Sequence, residues 1–246
     1  MERVPTGIDG LDEMIGGGIP RQRVVLVCGG PGSGKTVLAM RFLLHGAEKL
    51  GEPGLFVTFD ETPEHIREDM KGFGVNLESL ENAKKIGIVD MSPMLHLSAE
   101  DFKKAALGSV KVPEFTIESV SHGIMSKVKE IGAKRIAVDS ITGLTVLEPD
   151  LAKVRRNMVH LIGTLMESGC TSLVTAELQH DAMQRKFQLE EYLTHGAIIL
   201  QTLSRAGELV RALQIEKMRG VQHDTQPRPY RITNQGITVY AKEKVL

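Results

Sequence analysis

Val24-Val25-Leu26-Val27-Cys28 runs directly into Gly29-Gly30-Pro31-Gly32-Ser33-Gly34-Lys35-Thr36. Five consecutive apolar residues rich in β-branched side chains read as a strand buried on both faces. The eight residues that follow fit G-x-x-x-x-G-K-[ST], and an amphipathic stretch, Val37 to Leu50, comes next and stops at Gly51. Strand, glycine-rich turn and helix in that order form the setting in which the pattern has a mechanism. Glycines let successive backbone N–H groups curl around phosphate oxygens, and the helix start adds the positive end of its dipole. Lys35 supplies a point charge to the β- and γ-phosphates, and the Thr36 hydroxyl is a hard oxygen ligand suited to Mg²⁺. The segment Gly30, Pro31, Gly32, Ser33, Gly34, Lys35, Thr36 and Val37 is therefore expected to bind a nucleoside triphosphate.

Outward from this unit the same alternation repeats. Short apolar runs occur at Leu55–Phe59, Ile86–Val89, Arg135–Val138, Ser172–Ala176 and Ala197–Leu200. Helical patterns at Pro63–Phe73, Ile117–Ile131 and Val154–Ser168 separate most of them. Strand–helix alternation of this kind predicts an α/β fold with a mainly parallel central sheet. The tail changes character. Leu209–Met218, Pro229–Ile232 and Ile237–Tyr240, the last two around Thr233-Asn234-Gln235-Gly236, read as antiparallel strands ending in a hairpin. One domain over residues 1–246 accounts for the pattern. His96–Phe115, broken by Gly108 and Pro113, is expected to be an irregular excursion or a lid.

Composition narrows the classes. The 246 residues carry 30 Lys+Arg and 31 Asp+Glu, a net charge of -1, which disfavours a strongly basic nucleic-acid binder. Two cysteines, Cys28 and Cys170, exclude a disulfide scaffold or zinc ribbon and fit reduced, buried thiols in a cytoplasmic protein. No apolar run approaches the roughly 20 residues of a membrane helix, and no signal-peptide pattern opens the chain.

Three further acidic or basic groups stand at strand ends. Arg135-Ile136-Ala137-Val138-Asp139-Ser140 is a strand finished by an acid, placed where α/β sheets bind ligands. Asp139 is expected to face Thr36 and hold Mg²⁺; capping of the next segment is the plainer alternative. Asp60-Glu61 follows Leu55–Phe59, and Glu61 could orient an attacking water. Thr62-Pro63 just beyond reads as a helix N-cap with proline in the first turn, which by itself would also favour acids there. Lys217-Met218-Arg219-Gly220 places two cations on one strand face. They suit a polyanion, though on the strand alone a charged edge that deters pairing is the simpler reading.

Taken together, these motifs resemble the KaiC-like branch of the RecA-type P-loop ATPases. Pro5-Thr6-Gly7-Ile8-Asp9-Gly10-Leu11-Asp12 with Gly16-Gly17-Gly18-Ile19-Pro20 matches that family's opening segment. The phosphate loop, Phe56-Val57-Thr58-Phe59-Asp60-Glu61, Val138-Asp139-Ser140, and Lys217-Met218-Arg219-Gly220 with His223 complete the likeness. The resemblance implies ATP and Mg²⁺ as ligands and a homo-oligomer, a hexameric ring, with nucleotide between subunits. It implies that one subunit gives the loop, Asp139 and the catalytic acid, and that the next gives Lys217 and Arg219 to the γ-phosphate. Family catalysis uses two adjacent glutamates. Here the first is Asp60, one methylene shorter, so the water-activating role shifts to Glu61. Thr233 and Asn234 fall where the family approaches the nucleobase across the interface, and Thr175-Ala176-Glu177 where the RecA group places a γ-phosphate sensor. The clock member of the family has two such domains and phosphorylates itself. With one domain here, neither clock function nor autophosphorylation follows, and the leading reading is a ring-forming cytoplasmic Mg-ATPase with a regulatory or signalling role. A RecA/RadA-like DNA-binding ATPase is the alternative, with Glu148–Asn157 (Lys153, Arg155, Arg156) and Leu178–His195 (Arg185, Lys186) as channel loops; interspersed acids weaken it. A non-catalytic ATP-sensing scaffold is the third reading.

Overall fold

The structure is a computed structural model that describes residues 1–92, 116–146, 150–178, 189–205 and 207–245, with only the backbone described at 145, 146 and 205. The excursion expected at His96–Phe115, residues 148–149 of the first channel loop and residues 179–188 of the second lie outside the described residues.

The phosphate-loop strand is β3 (Val24–Gly29), and all its residues are buried. It pairs in parallel with β7 (Thr171–Glu177) on one side and β8 (Gly196–Arg205) on the other. Beyond β7 come β6 (Arg135–Asp139), β4 (Gly54–Thr58) and β5 (Ile86–Asp90), each parallel to its neighbour. Beyond β8 the direction reverses. β9 (Glu208–Met218), β10 (Arg228–Thr233) and β11 (Gly236–Val239) add antiparallel strands, so nine of the described strands form one sheet in the order β11-β10-β9-β8-β3-β7-β6-β4-β5. A separate two-stranded ribbon, β1 (Arg3–Val4) with β2 (Ile19–Pro20), brackets the opening segment. The mainly parallel sheet with an antiparallel C-terminal edge is the architecture the sequence predicts.

Alternation along each strand divides the interior into two cores. Val25, Val27, Phe56 and Leu173 face one core with α2 (Lys35–His45) and α3 (Pro63–Gly72). Val24, Leu26, Cys28, Leu55 and Val138 face the other with two long helices. In chain order the remaining helices are α1 (Leu11–Met14), α4 (Leu77–Asn82), α5 (Ile117–Ile131), α6 (Gly143–Val146), α7 (Leu151–Glu167) and α8 (Leu189–Leu193). Thr116 and Ser119 form a capping box at α5, and Thr62 caps α3 ahead of Pro63, as its sequence predicts. α7 starts at Leu151 behind an Asp150 cap, so Lys153, Arg155 and Arg156 lie on a regular helix rather than on a channel loop.

The helix after the phosphate loop is shorter than its apolar pattern. α2 ends at His45 and widens into a π turn over Gly46–Leu50 before Gly51. Fully buried Arg135 lies there, its Nη1 donating to the Phe42 carbonyl at 2.9 Å. The opening segment is tied down locally. The Asp12 carboxylate accepts from Thr6 N and Thr6 Oγ1, each at 2.8 Å, and Val239 N bonds Asp9 O at 3.0 Å. The Thr-Gly-Ile-Asp-Gly motif thereby fastens the N-terminus to the hairpin of β10 and β11.

Candidate nucleotide site

The parallel strands β3, β4, β6 and β7 all deliver their C-terminal ends to one side of the sheet. There a cavity of about 300 Å³ is lined by Lys35, Thr36, Asp60, Glu61, Asp139 and Glu177, among others. α2 opens on it with Gly34 as N-cap and no side chain capping its first turn, so those N–H groups keep their capacity for an anion. Gly34 has φ 94°, and a Cβ there would meet Ile232 Cδ1 at 2.6 Å. The loop therefore needs glycine for two reasons, its left-handed backbone and the close approach of β10. Lys35 Nζ donates to its own loop's Gly29 and Gly30 carbonyls at 2.8 and 3.1 Å, which holds the ammonium over the cradle.

Asp139 joins the loop to the far strands. Its Oδ2 accepts from Thr36 Oγ1 at 2.6 Å, and its Oδ1 accepts from Thr175 Oγ1. Burial pushes its carboxyl above the ordinary range, against the pull of the Thr175 and Thr36 hydroxyls. Carboxylate and hydroxyl oxygens in contact at a phosphate loop suit Mg²⁺, which takes few protein ligands and keeps waters and phosphates for the rest. Among the described residues no group of three His, Cys, Asp or Glu forms a dedicated metal cage.

The two acids after β4 part ways. Asp60 Oδ2 accepts from Ser140 Oγ at 2.6 Å and from Ser140 N at 3.2 Å. Glu61 has its backbone pinned by Thr58 Oγ1, which accepts from Glu61 N at 3.2 Å and donates to Glu61 O at 2.6 Å, and the residue lines the cavity. Desolvation and then the charges of Asp69, Asp139 and Asp60 raise the Glu61 pKa. Glu177 lines the same cavity, and its N–H donates to Thr142 Oγ1 at 3.0 Å.

Lys217 and Arg219 stand elsewhere. Lys217 pairs with Ala197 on β8, and Arg219 N donates to His195 O at 2.8 Å, while His195 N bonds Val24 O at the start of β3. The phosphate loop leaves the other end of β3, five strand steps or roughly 17 Å away. Lys217 Nζ donates to the carbonyls of Glu191 and Thr194, and burial lowers its pKa. Arg219 is exposed, with Nη2 at 3.3 Å from Tyr192 O. By contrast, the hairpin bearing Thr233 and Asn234 lies against this chain's own phosphate loop: Tyr230 Oη donates to Ser33 O at 2.7 Å. Sequence reasoning missed that tyrosine, and it missed Ser140; a hydroxyl directly after Asp139 was the available signal for the latter.

The sequence model described as "ATPase: KaiC" matches residues 4–244. This chain belongs to the KaiC ATPase family. It is 37% identical over 246 residues to a UPF0273 protein of Methanocaldococcus jannaschii, covering 100% of this chain and 99% of that one. The circadian clock oscillator protein KaiC of Picosynechococcus is 33% identical over 98% of this chain, which spans 45% of that longer protein. A solved structure of a KaiC-like protein from the hyperthermophilic archaeon Pyrococcus horikoshii superposes with a TM-score of 0.81 at 34% identity, covering 97% and 99% of the two chains. At family level this KaiC relative is a P-loop ATPase with a RecA-like fold, and no helix among its described residues is long and apolar enough to cross a membrane.

Proposed function

We propose that this chain is a cytoplasmic Mg-ATPase that works as a ring of copies, six by family resemblance, and hydrolyses ATP between neighbours to switch a regulatory assembly. In this reading the N–H groups of Gly30 to Val37 and the Lys35 ammonium hold the triphosphate. Thr36 and Asp139 hold Mg²⁺, which would neutralise charge on the β- and γ-phosphates. The Glu61 carboxylate accepts a proton from the attacking water as its oxygen bonds Pγ and the bond from Pγ to the ADP oxygen breaks. Thr233 and Asn234 belong to the hairpin that packs on its own chain's loop, so in this reading they approach the nucleobase from the same subunit rather than across the interface.

The observation that carries the shared site is the position of Lys217 and Arg219. They lie at the opposite end of the sheet from their own phosphate loop, so any γ-phosphate they neutralise belongs to another copy. Light scattering of the purified protein with and without Mg-ATP tests this. The expected result is a ring stabilised by nucleotide; a monomer under both conditions would overturn the shared site.

A further inference from the structure

We propose that Asp60 is a positioning residue that holds the Asp139–Ser140 turn in place, leaving water activation to Glu61 alone. This inference rests on the ATPase reading above and assigns separate jobs to its two adjacent acids.

Ser140 is 3% exposed. A buried hydroxyl needs a partner, since leaving it unpaired costs about 1–3 kcal/mol. Asp60 Oδ2 is that partner, and it also takes the Ser140 N–H. The neighbouring backbone is tied in the same sense: Phe59 N donates to Asp139 O at 2.8 Å. The end of β4 thus grips the end of β6 through one backbone bond and one carboxylate. What is gripped is the peptide next to Asp139, whose carboxylate meets Thr36. Asp60 Oδ2 is committed to two donors, whereas Glu61, which lines the cavity, makes no side-chain hydrogen bond among the described residues.

Side-chain length fits this role. Asp60 Oδ1 lies 3.1 Å from where a Cβ on residue 143 would stand, and Phe59 Cβ lies 3.0 Å from the same point. Glycine at 143 leaves room for the shorter acid to reach Ser140. A glutamate at 60 would have to fold its extra methylene into that crowded corner or release Ser140.

The test compares Asp60→Asn, Asp60→Ala, Ser140→Ala and the double variant Asp60→Ala/Ser140→Ala, with Glu61→Gln and Lys35→Ala as references. Each is measured for kcat with Mg-ATP and for thermal unfolding without nucleotide. Asp60→Ala and Ser140→Ala should each lower kcat by about tenfold, as loss of a supporting hydrogen bond does, and the double variant should be no worse than either. Asp60→Asn keeps an oxygen that accepts from Ser140, so it should stay within about threefold of the parent, while Glu61→Gln loses at least about a hundredfold. The proposal is overturned if Asp60→Asn falls as far as Glu61→Gln, or if the two single losses multiply in the double variant. If Glu61→Gln and Lys35→Ala both retain turnover, the ATPase reading itself fails. The unfolding cycle then decides the link: non-additive shifts in Tm uphold the Asp60–Ser140 grip, and additive shifts overturn it.

Discussion

Thr36 at the start of α2 and Asp139 at the end of β6 are 103 positions apart in the chain, and their side chains meet at 2.6 Å. The contact exists because β3 and β6, with β7 between them, run parallel and end on the same side of the sheet. It brings one hydroxyl and one carboxylate to the mouth of a cradle that the helix dipole makes attractive to anions.

Removing either oxygen should therefore weaken the response to Mg²⁺ before it weakens the fold. Thr36→Ala and Asp139→Asn are expected to raise the Mg²⁺ concentration for half-maximal binding of a fluorescent ATP analogue by about 10–100-fold. A Mg²⁺ titration identical to the parent's would remove both residues from the metal site.

Glu61 carries a prediction about rate, one about pH and one about stability. Glu61→Gln keeps the side-chain volume and removes the base, so kcat should fall by about 10²–10⁴-fold while nucleotide binding persists. Burial and the nearby Asp69, Asp139 and Asp60 raise its pKa. The acid limb of the rate profile should therefore lie above the ordinary glutamate value of about 4.3. A carboxyl whose folded pKa is raised adds stability below its unfolded pKa and loses it as pH rises through the folded value. At neutral pH the ionised Glu61 is thus a burden on the fold, and Glu61→Gln should melt slightly higher than the parent. An unchanged rate would end the assignment of Glu61 as the base.

The phosphate loop was legible because its residue types are each demanded locally: glycines by backbone, Lys35 and Thr36 by the ligand. The strands were legible because burial on both faces leaves continuous apolar runs. What escaped depends on pairs distant in the chain. Ser140 matters only because Asp60 stands opposite it, and Tyr230 only because its hydroxyl reaches Ser33 O. The lengths of helices were also legible only in part. The apolar pattern runs through to Leu50, but the last turn widens where Arg135 enters from β6.

Lys217 and Arg219 should separate in mutants. Arg219 is exposed and, among the described residues, its guanidinium makes one 3.3 Å contact, with the Tyr192 carbonyl, so Arg219→Ala should fold normally, bind ATP and lose about 10³–10⁵-fold in turnover if it acts as a finger. Lys217 is partly buried on the carbonyls of Glu191 and Thr194, so Lys217→Ala should also lower the Tm. Mixing inactive Arg219→Ala subunits with inactive Glu61→Gln subunits should restore some activity, because some interfaces then combine an intact acid with an intact arginine. No recovery at any mixing ratio would speak against catalysis shared between copies.

Arg135 is the cation the strand pattern concealed, and it governs stability rather than chemistry. It is fully buried at the start of β6, stacked 4.7 Å from the Phe42 ring centroid. Its Nε donates to Glu52 Oε2 at 2.8 Å and its Nη1 to Pro5 O at 2.8 Å, so it staples the opening segment, α2 and β6 together. Glu52→Ala would leave that charge buried without its counter-ion, a loss of about 3 kcal/mol. At about 2–4 °C per kcal/mol for a chain of this size, the Tm should drop by roughly 6–12 °C. Arg21 shares Glu52 from a more exposed position, so Arg21→Ala should cost no more than about 1 kcal/mol. Burial alone would raise the Glu52 carboxyl, but hydrogen bonds from Arg135 and Arg21 outweigh it and hold the pKa below the usual range. Because the folded value is the lower one, the stabilisation is complete above the unfolded value of about 4.3 and is lost as pH falls through the folded value. Thermal unfolding followed from pH 7 down to pH 3 should show the Tm gap between parent and Glu52→Gln narrowing at the acid end. A gap that stayed constant across that range would mean the Glu52 charge does not hold Arg135 in place.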